Sequence, residues 1–251
     1  MRILGGGLIA RSLGPYASEH HGVVAFASGV SDSSCNRESD FSRECRLLYR
    51  TLDEVRSRGE RIIYFSGGGA LYGRWNRPAL ESGPVEPQSP YGRHQLVCEA
   101  IVAAAGVRHL IVRLPNVVGT SASPKQLVPS LVAQVLVGRV HVQRRASRDL
   151  VDSRDMARIV SELVGRVADR EVLNVATGVS VPALAIVSEI CAILGAHPSL
   201  VVSDVGEPQQ FDTSRLRQIL GRDPFPDHSY YQEVLRSHVP QLAEELTHAR
   251  V

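Results

Sequence analysis

Short apolar runs alternate with longer amphipathic stretches as far as about residue 195, and that alternation restricts the fold more than any other feature of the chain. Residues 2–4, 22–27, 61–65 and 109–113 read as strands. Between them, residues 40–58 carry Cys45, Leu47, Leu48, Leu52 and Val55 at helical spacing and stop at Gly59. Residues 91–105 repeat the pattern with Leu96, Val97, Ile101 and Val102, and further helices are expected over 129–137, 153–167 and 181–194. Strands joined through helices of this length predict an α/β fold with a doubly wound parallel sheet. A chain of 251 residues, 43% hydrophobic, suffices for one large domain or two intergrown ones. Past residue 195 the apolar runs shorten and Pro208, Pro224 and Pro226 interrupt them, which predicts a smaller α+β lobe.

With 28 basic against 26 acidic residues the net charge is only +2, so no global field draws the chain to nucleic acid or an anionic membrane. The basic run Gln143-Arg144-Arg145 with Arg148 has no interleaved aromatics, and neither nucleic acid nor membrane is an expected partner. The first apolar run is too short to span a bilayer and glycines break it, which points to a cytoplasmic protein. Cys35, Cys45, Cys98 and Cys191 form no CxxC pair, so ordinary thiols and no metal are expected.

The first strand runs directly into Gly5-Gly6-Gly7-Leu8-Ile9-Ala10, a GxGxxA arrangement. The first glycine permits a tight turn, Gly7 lets backbone approach a pyrophosphate, and Ala10 lets the following helix pack on the strand. Proline, glycine and serine gather in 67–90 and 119–124, both behind expected strands, where open α/β sheets bind ligands.

Five further blocks, YFSGGGALYG (64–73), SPYGRHQ (89–95), RLPNVVG (113–119), RDLVDSRDMA (148–157) and LNVATG (173–178), follow in a fixed order. In order and spacing they resemble the extended short-chain dehydrogenase/reductases of the NAD-dependent epimerase/dehydratase family that act on nucleotide sugars. The resemblance implies a Rossmann-like domain over 1–118 and 148–177 and a substrate lobe over 119–147 and 178–251. It also implies bound NAD or NADP and hydride transfer at a sugar carbon. Tyr91 matches the acid/base tyrosine, a role that suits a phenol whose pKa is lowered. The cofactor would meet Gly5, Gly7, Leu8, Ile9, Ala27, Ser28, Gly29, Ser66, Gly67, Tyr91, Gln95, Leu114 and Pro115. Gly68, Asn116, Lys125, Arg148 and Arg215 would face the substrate, with Arg148 gripping its diphosphate.

The chain departs from the family at several of these positions. Gln95 stands where the family has the lysine one turn beyond the tyrosine, and Lys125, the single lysine, lies outside that helix. Gly68 replaces the catalytic Ser or Thr, leaving Ser66 as the nearest hydroxyl, and Gly69-Ala70 replaces the acidic pair of the 4,6-dehydratases. Residues 22–29 match the family's fourth strand, so its β2-αB-β3 segment and the acid that holds the adenosine ribose are missing; read instead as β2, 22–27 still end without an acid. Trp75 is expected as a loop anchor or a stacking surface, and His20-His21 as an exposed turn.

These features predict an NAD(P)-dependent reductase or epimerase of nucleotide-diphosphate keto-sugars, with Tyr91, Ser66 and Gln95 as the catalytic set. A short-chain fold that binds a nucleotide sugar without redox chemistry, or a ketoreductase of a non-sugar natural product, stands as the alternative. Family likeness further implies a homodimer through helices 40–58 and 91–105.

Overall fold

A computed structural model describes residues 1–73, 75–120, 123, 125–225 and 227–248. Strand β1 (Arg2–Leu4) passes through the glycine turn into α1 (Leu8–Leu13), and β2 (Val23–Phe26), α2 (Glu38–Arg58), β3 (Arg61–Gly67), α3 (Gly68–Tyr72) and α4 (Pro90–Ala104) follow. Next come β4 (Arg108–Leu114), β5 (Asn116–Val118), α5 (Leu127–Val137), β6 (Arg139–Gln143), β7 (Ser147–Arg148), β8 (Leu150–Asp152) and α6 (Ser153–Val164). The chain continues through β9 (Glu171–Asn174), β10 (Val181–Pro182), α7 (Ala183–Leu194), β11 (Ser199–Ser203), α8 (Ser214–Leu220) and α9 (Tyr230–His248).

Strands β1, β2, β3, β4 and β9 pair in that order, every pair parallel. Their side chains alternate between two apolar layers, as a sheet covered on both faces requires. Val24, Phe26, Ile62, Tyr64 and Ile111 pack on one side with Leu48, Leu52 and Val55 of α2 and Cys98 and Val102 of α4. Val23, Ala25, Ile63, Phe65, Leu110 and Val112 join the larger cluster on the other side, with Met156, Ile159 and Val160 of α6. This is the α/β parallel sheet that the alternation predicts, Rossmann-like as the resemblance implies.

Strand β1 is the sheet's edge, hydrogen-bonded to β2 alone among the described residues. A single 3₁₀ turn at Gly14–Tyr16 and irregular turns fill the connection from α1 to β2. Three smaller two-stranded pairs, β5 with β8, β7 with β10 and β6 with β11, lie outside the main sheet.

Some expected boundaries are corrected. The stretch 67–90 is not wholly loop, because β3 reaches Gly67 and α3 follows at once. Residues 181–182 form β10 rather than helix; Pro182 ends that strand and α7 starts at Ala183. The region after 195 holds α9, 19 residues long with Pro240 inside it. Val234, Leu235, Val239 and Leu242 bury one face of α9 in the large cluster, and that burial outweighs the proline's usual disruption of a helix. Pro226, cited for irregularity, lies outside the described residues.

Candidate active site

The glycine turn joins β1 to the carboxyl end of β2. Gly5 has φ +135°, and a Cβ there would lie 2.2 Å from the Ala27 carbonyl oxygen, so no other residue fits the turn. Gly6 and Gly7 are exposed, with nothing within 4 Å of a Cβ built on either, and Gly7 caps α1 without a side-chain bond. That open face fits the close approach of a phosphate group. Leu8 is buried and Ile9 half-buried against the large cluster, which fixes α1. Arg11 bends back over the turn, donating to the Gly6 carbonyl at 3.0 Å and the Thr120 carbonyl at 3.4 Å. No sequence motif singled out Arg11; its place four residues past Gly7, one helical turn on, is the signal available.

Ser89 caps α4, its hydroxyl accepting from the Gly92 N–H at 3.0 Å, and Pro90 occupies the first turn. This geometry sets Tyr91 over the end of β3. A Cβ built on Gly67 would lie 2.6 Å from the Tyr91 hydroxyl oxygen. Gln95, one turn on, accepts from the Gly67 N–H at 2.9 Å. Ser66 is buried beside them and its hydroxyl has no hydrogen-bond partner among the described residues. Tyr91 and Gln95 therefore meet at Gly67, with Ser66 next to it in β3, at the sheet's carboxyl edge.

The electrostatics of Tyr91 run opposite to the family-based expectation. Burial, and then the negative charge of Glu44, push the phenol's pKa up rather than down. Glu44, itself buried, accepts from the Tyr64 hydroxyl at 3.0 Å, the Val30 N–H at 2.7 Å and His94 Nε2 at 2.9 Å. A Cβ on Gly29 would come within 2.9 Å of the Glu44 carboxylate, so the chain beyond Ala27 and Ser28 is packed on this acid. Glu44 was legible in principle, since it precedes Leu48 and Leu52 at four-residue intervals on the apolar stripe of α2.

Gly68 has no room for the family's hydroxyl. A Cβ there would lie 2.8 Å from the Phe211 ring and 3.2 Å from the Leu114 carbonyl oxygen. Phe211 packs with Tyr72 and Trp75, ring centroids 5.8 and 5.2 Å away, so Trp75 is an anchor of this aromatic cluster. Asn174 ties the cluster to β9, accepting from the Tyr72 hydroxyl at 2.8 Å and donating to the Ala79 and Asp212 carbonyls. A cavity of about 320 Å³ lies beside it, lined in part by Tyr72, Asn76, Arg77 and Leu80.

Beyond half-buried Pro115, Asn116 donates its side-chain amide to the Asp149 carbonyl at 3.2 Å. Next to Asp149, Arg148 donates from one terminal nitrogen to the Ser147 and Glu207 carbonyls and meets no carboxylate among the described residues. Burial lowers the Arg148 pKa, as expected for a cation without a counter-ion. Lys125 reaches instead to Asp32 in the loop after β2, 3.4 Å away. Arg215 is ion-paired to Glu171, the first residue of β9 and hence at the sheet's opposite edge from the glycine turn, so it is not brought to the site.

A Rossmann-like sheet with an open glycine turn and a tyrosine heading the α4 helix defines a class of dinucleotide-fold proteins. The sequence profile described as "NAD dependent epimerase/dehydratase family" matches residues 11–176, and the chain belongs to that family. UDP-glucose 4-epimerase of Streptomyces lividans is 30% identical over 131 residues, 47% of this chain and 40% of that protein. UDP-glucose 4-epimerase 4 of Oryza sativa subsp. japonica is 28% identical over 184 residues, 60% of this chain and 49% of its own length. The chain spans about half the length of the curated relatives it matches. Among solved structures, RMD from Pseudomonas aeruginosa complexed with NADPH superimposes with a TM-score of 0.79 at 18% identity, covering 97% of this chain and 99% of that one. Thermus thermophilus UDP-glucose 4-epimerase in complex with NAD gives a TM-score of 0.73 at 20% identity, covering 93% and 81%.

Proposed function

We propose that this chain binds NAD or NADP over the glycine turn and reduces the keto carbon of a nucleotide-diphosphate sugar, with Tyr91 as proton donor. The observation that carries the proposal is the Tyr91 hydroxyl, held at the end of β3 with no hydrogen-bond partner among the described residues and kept protonated by burial and Glu44. A phenol with a raised pKa serves a step that delivers a proton to a forming alkoxide better than one that must first lose it. The dinucleotide, when bound, supplies the hydride. Gly6 and Gly7 would admit its pyrophosphate, Arg11 would offset its charge, and Gln95 would fix the end of β3 beneath it. Because β1 is the sheet edge, the adenosine side draws on fewer protein contacts than a fully doubly wound sheet supplies.

Arg148, with unused donors and no counter-ion among the described residues, is the group suited to the substrate diphosphate, and Asn116 is bonded to its neighbour Asp149. This division of labour keeps 1–118 with 148–177 as the cofactor half and 119–147 with 178–251 as the substrate half. Exposed Leu47 on α2 and Val97 on α4 support pairing of two copies through those helices. Among the described residues no helix is long and apolar enough to cross a membrane.

One observation favours binding without turnover: Phe211 fills the space where the family's catalytic hydroxyl would project from position 68. Consumption of NADH or NADPH with UDP- and dTDP-linked 4-keto-sugars separates the readings. Turnover that falls about 10²- to 10⁴-fold in Tyr91→Phe supports the reductase, on the scale of general-acid contributions. Turnover untouched by that substitution sinks the role given to Tyr91, and substrate binding with no oxidation of either dinucleotide supports the second reading.

A further inference from the structure

We propose that Cys45, His94 and Cys98 form a binding site for a thiolate-preferring divalent cation of the zinc class. His94 and Cys98 stand four residues apart on α4 and so share one face, while Cys45 comes across from α2. One ligand atom from each of the three lies within 4.8 Å of the other two. Cys98 Sγ is 3.6 Å from His94 Nε2 and 3.9 Å from Nδ1. Tetrahedral zinc, with Zn–S of about 2.3 Å and Zn–N of about 2.0–2.1 Å, sets sulfur and nitrogen about 3.6 Å apart, so Cys98 Sγ and His94 Nδ1, now 3.9 Å apart, need to close by only a few tenths of an ångström.

The imidazole is already oriented for such a role. Its Nε2–H donates to Glu44 at 2.9 Å, which leaves Nδ1, 3.9 Å from Cys98 Sγ, as the nitrogen that can ligate. A carboxylate behind the ligating histidine is the usual outer partner of a zinc-bound imidazole. Phe41 stacks on the ring with centroids 4.4 Å apart, which holds its plane.

The donor set is soft, two sulfurs and one imidazole, and selects zinc-class ions over magnesium or calcium. Neither cysteine is in a disulfide, so both sulfurs can ligate. His94 and Cys98 are buried and Cys45 is half-buried, so an ion enters from the Cys45 side, where a water can take the fourth position. Each thiol gives its proton to solvent as its sulfur–metal bond forms, and two thiolates then neutralise the ion's two charges. The spacing of the cysteines hid this cluster: its members come from two helices, some 50 positions apart, that only the fold brings together.

The test uses the full chain, reduced and stripped with a chelator, and titrated anaerobically with Co²⁺ and then Zn²⁺. The expected result is about one ion per chain, a thiolate-to-cobalt charge-transfer band with a tetrahedral visible envelope, and bleaching by zinc. Cys45→Ser should lower the charge-transfer intensity to about half, one of two thiolates being gone. Glu44→Gln, which keeps both sulfurs, should weaken binding about 10- to 100-fold. Cys191→Ser should leave the titration unchanged. If Cys98→Ser fails to fold, Cys45→Ser at its half-buried position carries the test, with circular dichroism confirming the fold. Absence of the band in a folded protein whose four thiols stay equally reactive with and without zinc overturns the site. A band that survives Cys45→Ser at full intensity also overturns it. The site does not rest on the hydride chemistry, so its failure leaves that proposal standing.

Discussion

The hydroxyl of Tyr91 lies so close over the backbone of Gly67 that a single added methyl group would sit 2.6 Å from it. Gly67→Ala should therefore move the phenol off the end of β3, at a cost of about 1–3 kcal/mol for overpacking a tight contact. Chemical denaturation measures the cost. Loss of turnover beyond what the stability change explains is the expected signature of a displaced donor.

Position 68 offers a direct check of how the site is filled. Gly68→Ser should destabilise the chain by about 1–3 kcal/mol, because Phe211 already occupies the space. Combining it with Phe211→Leu should recover part of that loss, and a double-mutant cycle should return a favourable coupling energy on the order of 1 kcal/mol. Additive effects would show that the ring and position 68 do not touch.

Stability should depend on pH through Asp149. Burial raises its pKa to about 7, against the hydrogen bonds it accepts from the Thr177 and Gly178 N–H groups. The folded chain then binds a proton more tightly than the unfolded chain from about pH 4 to 7. Stability accordingly falls as pH rises through that window and levels off above it. Asp152 works in the opposite sense at lower pH: despite its burial, hydrogen bonds from His238 and Arg154 hold its pKa below the ordinary carboxylate value. Asp149→Asn keeps an oxygen acceptor and should flatten the difference between pH 5 and pH 8 by on the order of 2–3 kcal/mol, read from urea midpoints at both pH values.

Two arginines that the sequence presents alike should behave differently. Arg148→Ala should weaken UDP binding by about 10- to 100-fold, the scale of about 1.5–3 kcal/mol for hydrogen bonds to a charged group. Arg215→Ala removes a partner of Glu171 at the far edge of the sheet and should leave UDP affinity unchanged. Calorimetry on both variants decides between them.

The alternation of apolar runs made the sheet legible, because the uninterrupted apolar runs of β2 and β3 bury both faces of the sheet and the helices between the strands join them in parallel. The glycine turn and Tyr91 were legible because each rests on a few adjacent residues. What stayed hidden depends on residues distant in sequence. Phe211 closes over Gly68 from the other end of the chain, and Glu44 reaches Tyr64 and His94 from a different helix. Arg215 carried the right charge in a suggestive place, yet its register beside β9 sends it to Glu171. The long helix α9 was masked by Pro240, since burial rather than local propensity sustains it.

The central claim is that the open glycine turn holds a dinucleotide, and Gly7→Asp tests it most directly. A Cβ on Gly7 meets nothing within 4 Å and φ there is −78°, so the substitution fits; Asp is moreover a favourable residue at a helix start. Isothermal calorimetry with NADH and NADPH should show binding of one of them to the wild-type chain. In Gly7→Asp, whose carboxylate would face the pyrophosphate, that binding should be lost while Tm is equal or higher. Equal dinucleotide affinity in both proteins, or none in the wild type, would contradict the account.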